Sequence, residues 1–215
     1  MKGKFIVLEG GEGAGKGTIR TFLENHFPDV VFTREPGGTP LAEKIRAAMI
    51  CPEAAQANAA TQFALIWASR LEHVRAKVRP ALEAGKTVIS ERFDSSTYAY
   101  QIFGQEAPYL KLLFAEFRKL LGKTIPDLYI FLDVKAEEGV QRVEGNKKKE
   151  PARPKDGRSG GEPLGHFEKR AIDFHRRIRE GYGEFLKTVP HVIVDANRPL
   201  EAVQQEVLSI IQRQL

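Results

Sequence analysis

Hydrophobic and polar positions along this chain follow two alternating periods. Short apolar runs rich in β-branched residues read as strands buried on both faces: "KFIVLEG" (4–10), "DVVFT" (29–33), "KTVIS" (86–90), "DLYIFLDV" (127–134) and "HVIVDA" (191–196). Between them apolar residues recur at helical spacing from Lys16 to about His26, over "PLAEKIRAAMI" opening on Pro40, from Ala57 to Glu83, and from Pro199 to about Gln212. Strands alternating with helices predict an α/β fold, a parallel sheet with helices on both faces.

One stretch breaks both periods. Residues 144–165, "EGNKKKEPARPKDGRSGGEPLG", are rich in Gly, Pro, Lys and Arg and show no periodicity, which predicts a long loop. Loops of that length in compact domains are usually functional lids or disordered. With no internal repeat, residues 1–215 are expected to form a single domain with this lid inserted at about 144–165.

At 215 residues the chain is long enough to bury a proper core. No apolar run approaches the roughly 18 to 20 residues that span a bilayer, and the opening run lacks a secretory-signal pattern. No membrane association and a cytoplasmic address are therefore expected. The lone Cys51 has no disulfide partner, in keeping with a reducing compartment, and reads as a passive thiol. A net charge of +5 invites a nucleic-acid partner. Its distribution argues against one: between Arg142 and Arg179 there are 12 Lys/Arg against 6 Asp/Glu, so the basicity belongs to one segment. A phosphate-gripping segment accounts for that better than a DNA-binding face.

The chemistry starts at "GGEGAGKGT", residues 10 to 18. Gly10, Gly15 and Lys16 fit G-x-x-x-x-G-K between a predicted strand and a predicted helix. Such a loop turns its backbone N–H groups toward an anion, and the helix N-terminus adds partial positive charge. The stretch Gly10, Gly11, Glu12, Gly13, Ala14, Gly15, Lys16, Gly17 and Thr18 is thus the candidate ATP cradle, with Lys16 reaching the β/γ-phosphates as a point charge. Gly17 stands where a hydroxyl ligand for Mg²⁺ is usual, and Thr18 comes one residue late. Mg²⁺ keeps several waters, so an acidic residue elsewhere is expected to hold it through water. Glu12 would repel phosphates if it faced them. Flanked by Gly11 and Gly13, it either aims at a neutral donor such as a sugar hydroxyl or faces solvent. There is no N-K-x-D in a GTPase context, which leaves a small phosphotransferase.

"FIVLEGGEGAGKGT", "FTREPGGTPLAEKIR", "ERFDSSTYAYQ", "PDLYIFLDV" and "DANRPLEAV", taken in order over nearly the whole chain, resemble bacterial thymidylate kinases. That resemblance implies a P-loop NTPase-type three-layer fold with a five-stranded parallel sheet and a basic lid. It implies transfer of the γ-phosphate of ATP·Mg²⁺ to dTMP, giving dTDP and ADP, by a homodimer. It further implies that Glu12 accepts a hydrogen bond from the deoxyribose 3′-OH and that Arg92 contacts the acceptor phosphate and the transferring group. Arginine's fixed fork suits that task. Glu91, where the family has Asp, becomes the water-mediated Mg²⁺ partner. Ser96, Thr97 and Tyr100 line the thymine and sugar pocket, with Tyr100 beside C2′ and Gln101 nearby. Glu35 and Pro36 shape the wall, and Arg46 adds charge for the acceptor phosphate. Arg70 contacts the base edge, unless it is a surface residue of an amphipathic helix.

At the place of a thymine-stacking phenylalanine this chain has Ile66, followed by Trp67, which either swings in to stack or belongs to the core. Gly13 occupies the position where some members carry a catalytic arginine, so the resemblance places that arginine in the lid. Arg142, Arg153 and Arg158 are the candidates, Arg153 foremost, and Arg142 is assigned to the ATP side. Lys147 to Lys149 and Lys155 read as a solvated field around them. "ERF" also resembles the Glu-Arg-Ser of deoxynucleoside kinases, in which Glu91 would be a general base; T-R-E-P-G-G-T opposes that alternative. A nucleotide-binding regulator without turnover is opposed by Lys16 and Arg92.

Overall fold

The computed structural model describes residues 3–149 and 171–215. Five parallel strands form one sheet in the order β2-β3-β1-β4-β5: β1 Phe5–Gly10, β2 Val31–Arg34, β3 Val88–Glu91, β4 Leu128–Asp133 and β5 His191–Asp195. Central β1 pairs Phe5 with Val88 on one side and Ile6 with Leu128 on the other, and all six of its residues are buried. Successive side chains of a strand point to opposite faces, so β1 feeds two cores. Phe5 and Val7 join Phe63, Trp67, Phe93, Tyr129 and Tyr182. Ile6 and Leu8 join Ile19, Ile130, Val207 and Ile211.

Helices α1 (Lys16–His26) and α9 (Leu200–Gln212) cover the second face. The first is covered by α3 (Ala59–His73), α6 (Leu110–Lys119) and α8 (Ile172–Leu186), while α2 (Pro40–Ile50) packs against α3. Two helix starts are capped as their sequences dictate. Thr39 Oγ1 accepts from the Ala42 amide at 3.3 Å ahead of α2, and Asn58 Oδ1 from the Thr61 amide at 2.8 Å ahead of α3. The helical pattern of 57–83 continues past α3 through a wide π-turn, Val74–Val78, into α4 (Arg79–Glu83). A second wide turn, Tyr98–Gly104, extends the short α5 (Asp94–Thr97). Such turns often occur at functional sites.

The expected loop over 144–165 begins too early. Helix α7 runs Ala136–Lys149, so residues 144–149 are helical. Glu and Lys are good helix formers, which outweigh the single Gly145, and the first proline of the stretch is Pro151. The remainder of the expected lid, with Arg153, Lys155 and Arg158, lies outside the described residues. Among the described residues no helix is long and apolar enough to cross a membrane.

Neighbouring β1, β3 and β4 reach their carboxyl ends together, and the segments that follow them converge there. In open parallel sheets ligands bind at that edge, where successive connections diverge.

Candidate active site

The turn after β1 has the backbone shape that its sequence predicts for an anion cradle. Gly13 (φ 69°) and Gly15 (φ 86°) take left-handed conformations, and α1 starts at Lys16 without a side-chain cap. Lys16 Nζ donates to the carbonyls of Gly10 at 2.9 Å and Gly11 at 2.7 Å, and is buried. Burial, then the nearby Arg92, brings its ammonium down to about 8, against the opposing pull of Glu12, Glu91 and Glu9.

Helix α7 lies directly on this turn. A Cβ added to Gly13 would sit 2.1 Å from the Gly139 carbonyl oxygen, and one on Gly139 would sit 2.3 Å from the Glu12 carbonyl oxygen. Position 13 therefore has no room for any side chain. One turn farther along, Arg142 Nη1 reaches the Ala196 carbonyl at 2.9 Å and that of Gly13 at 3.4 Å. Arg142 thus touches the cradle from its outer side.

Glu12 turns away from the cradle. Its Oε1 accepts from Tyr100 Oη at 2.6 Å and Arg92 Nη2 at 3.0 Å. Burial alone would raise this carboxyl; the charges of Arg92 and Lys16 and the Tyr100 hydroxyl bring it to about 2. Solvent exposure, the alternative left open for Glu12, does not occur: its side chain is 12% exposed.

Arg92 adopts a left-handed conformation (φ 69°), uncommon outside glycine and worth about 1–3 kcal/mol of strain. Its amide donates to Leu8 O at 2.9 Å and its carbonyl accepts from Ser90 Oγ at 2.8 Å, which hold that geometry. The guanidinium meets Glu12, Ser96 Oγ and Tyr182 Oη and lies 5.1 Å from the Tyr100 ring centroid.

Beneath it is a carboxylate that the sequence reading passed over. Glu9, fully buried in β1, accepts from the Phe93 amide (2.8 Å), Ser95 Oγ (2.7 Å), Ser96 Oγ (2.8 Å) and Tyr182 Oη (2.9 Å). An acid inside an otherwise apolar strand was the available signal. Tyr182, on α8 far along the chain, offered none.

A cleft beside Arg92 is lined by Glu35, Pro36, Ile66, Arg70, Arg92, Phe93, Ser96, Thr97, Tyr100 and Gln101. Most residues expected at the acceptor site thus come together there. Arg70 is not a surface residue. It is 1% exposed and donates through Nε to Glu35 Oε2 (2.8 Å), Nη1 to Thr97 Oγ1 (2.9 Å) and Nη2 to Phe93 O (2.9 Å). Both side-chain amide atoms of buried Gln101 lack a hydrogen-bond partner among the described residues. Arg46 is outside the lining; it donates to the Pro36 carbonyl at 3.3 Å, next to the cis Glu35–Pro36 bond.

Of the two places left open for Trp67, the substrate pocket and the core, it takes the core. It is fully buried against Phe63, Phe114 and Phe117, away from the cleft. Ile66 and Trp67 are adjacent on a helix and face different directions, and the larger apolar surface goes to the core. The indole nonetheless reaches the site indirectly, because the Arg70 guanidinium lies 4.6 Å from its ring centroid.

Glu91 Oε2 is buried without a hydrogen bond, 3.7 Å from the equally unbonded Nη1 of Arg20. No cluster of three metal-binding side chains exists among the described residues. A hard divalent cation here would take most of its ligands from phosphate and water, with Glu91 as the fitting acid. In a separate groove Asp133 and Glu137 are already paired, to Arg179 at 2.6 Å and Arg176 at 2.7 Å respectively.

The family model "Thymidylate kinase" matches residues 8–207. A thymidylate kinase of Marinomonas sp. (strain MWYL1) is 37% identical over 213 residues, covering 96% of this chain and 93% of its own length. That of Caulobacter vibrioides is 37% identical over 220 residues, covering 100% and 98%. The crystal structure of thymidylate kinase from Ehrlichia chaffeensis superimposes with a TM-score of 0.71 at 26% identity, covering 99% of both chains.

Proposed function

The chain belongs to the thymidylate kinase family and phosphorylates dTMP to dTDP with ATP, and we propose that one turn, residues 10–18, serves both nucleotides. Deoxynucleoside kinase and non-catalytic regulator give way to this reading. ATP is the donor, its triphosphate wrapped by the amides of the turn and by Lys16. The acceptor lies in the cleft, with its sugar hydroxyl on Glu12, its phosphate by Arg92 and its base between Ile66, Arg70 and Gln101. The observation that carries this division is the direction of Glu12, which leaves the anion cradle for Arg92 and Tyr100 in the cleft wall.

Phosphoryl transfer asks for alignment and for charge stabilisation on the moving group. Arg92 supplies both, held by Glu12 and by the hydroxyls of Ser96 and Tyr182, which Glu9 in turn fixes. An acceptor phosphate oxygen attacks the γ-phosphorus as the bond to ADP breaks. The Gln101 amide, a donor and an acceptor without partners among the described residues, suits the edge of a pyrimidine. Glu91 is the residue that would hold, through water, a Mg²⁺ accompanying ATP, and such an ion would supply positive charge to the phosphates. With position 13 closed by Gly139, a catalytic arginine has no place in the turn, and Arg153 remains the proposed lid arginine.

A cytoplasmic homodimer completes the proposal. Cys51, with no disulfide partner in the chain, supports the compartment. Leu112 is 82% exposed, and Tyr109, Leu113 and Leu120 beside it are also exposed, an apolar face of the kind that marks a protein contact. Leu112→Glu is expected to give a monomer by light scattering. The deciding assay follows ADP production with ATP against dTMP, dUMP, AMP, CMP and thymidine. Preference for dTMP is expected; preference for thymidine overturns the assignment.

A further inference from the structure

One face of α3 fastens the segment that follows β2. Ser69 Oγ accepts from the Gly37 amide at 3.2 Å, Arg70 Nε donates to Glu35 Oε2 at 2.8 Å, and His73 Nδ1 meets Glu35 Oε1 at 2.9 Å. The Glu35 carboxylate, paired with Arg70, accepts from the imidazole, so Nδ1 carries the proton. Nε2 then faces Thr33 Oγ1 at 2.7 Å, so the ring is hydrogen-bonded at both nitrogens. Thr33 and Glu35 are each 4% exposed and His73 is fully buried. The turn above is equally closed, because a Cβ on Gly38 would fall 2.8 Å from Thr33 Oγ1 and 2.9 Å from His73 Cδ2.

A hydrogen-bonded line therefore runs from Thr33 through His73 and Glu35 to Arg70. Only its last two members touch the cleft. Burying an ion pair such as Glu35–Arg70 adds little net stability compared with apolar packing of the same volume. The line is better explained by orientation. Three of the five Arg70 N–H groups are bound to Glu35, Thr97 and Phe93, which fixes the plane in which the remaining two can meet a ligand.

We propose that Thr33 and His73 are positioning residues for acceptor specificity: the hydroxyl locks the imidazole, the imidazole locks the Glu35 carboxylate, and the carboxylate aims the Arg70 guanidinium at the pyrimidine base. This rests on the assignment of Arg70 to the base in the reading above.

Thr33→Val keeps side-chain volume and removes the outer anchor without touching the cleft. It is expected to raise the KM for dTMP about tenfold, the equivalent of one buried hydrogen bond, with the KM for ATP unchanged. Preference for dTMP over dCMP should narrow by a similar factor, and Thr33→Ser should restore both. His73→Phe should act in the same direction. Unchanged dTMP KM and discrimination in Thr33→Val, whatever its melting temperature, overturn the proposal, as does an equal shift of both KM values. Arg70→Gln in parallel separates the two levels. If it leaves dTMP/dCMP discrimination intact, the base assignment of Arg70 fails and takes the relay with it. If it abolishes discrimination while Thr33→Val and His73→Phe do not alter it, the relay alone is overturned.

Discussion

Gly139→Ala sets two magnitudes of opposite sign against each other. In a helix interior alanine is worth about 0.8–1 kcal/mol more than glycine, so propensity alone makes the variant more stable. The contact with the turn says otherwise. The new methyl would lie 2.3 Å from the Glu12 carbonyl oxygen, inside any ordinary contact distance, and the atom it meets is backbone. Helix and turn must separate by about 1 Å, and overpacking of this kind costs about 1–3 kcal/mol. The sum is a loss of up to about 2 kcal/mol. In the proposed reading the displaced segment carries the amides that wrap the triphosphate, and a misplacement of about 1 Å can cost as much as 10²-fold in rate. The expected phenotype is a KM for ATP raised roughly tenfold or more, with dTMP affected less. Gly145→Ala is the control: it lies on the same helix with nothing within 4 Å of the new Cβ, and should gain stability. Urea denaturation of both variants and initial rates with each nucleotide varied make the comparison. Gly139→Ala matching Gly145→Ala in stability, with an unaltered KM for ATP, would refute the close approach of α7 to the turn.

Other expectations follow from the same geometry. The Glu12 carboxyl sits at about 2 in the folded chain against 4.5 ordinarily, so its stabilising contribution is complete above about pH 4.5 and lost as pH falls toward 2. It amounts to roughly 3 kcal/mol, and acid denaturation of Glu12→Gln should lack that part of the pH dependence; identical acid midpoints would contradict it. Lys16, brought down to about 8, sheds its charge in the free enzyme as pH rises through that value. kcat/KM for ATP should decline there, and a flat profile to about pH 9.5 would count against the assignment. Trp67 is the only tryptophan and is fully buried. Its emission should resist acrylamide and change little on saturation with dTMP; strong quenching by dTMP would mean that the indole stacks on the base after all. Arg92→Ala should lower kcat by about 10³ or more, the scale seen when an arginine leaves a phosphoryl-transfer site; a loss confined to the KM for dTMP would reduce Arg92 to a binding residue.

Local pattern was enough for the strands, most helices and the anion turn, because backbone preferences and side-chain periodicity act over a few residues. β1 alternates its side chains between two cores as its apolar run predicted, and the glycines at 13 and 15 take the left-handed conformations that such a turn requires. The resemblance carried by T-R-E-P-G-G-T and its companion motifs brought most of the cleft wall with it. What one chain could not reveal was direction. Ile66 and Trp67 are both apolar neighbours on α3, and only packing against Phe114 and Phe117 sends one to the cleft and the other to the core. Glu12 and Arg92 are 80 residues apart, so their pairing exists only once β1 and β3 lie side by side. Glu9 became intelligible when Ser95, Ser96 and Tyr182 converged on it. Gly13 shows both levels at once: a positive φ legible in the turn, and an absolute lack of space that only α7, arriving from much later in the chain, imposes.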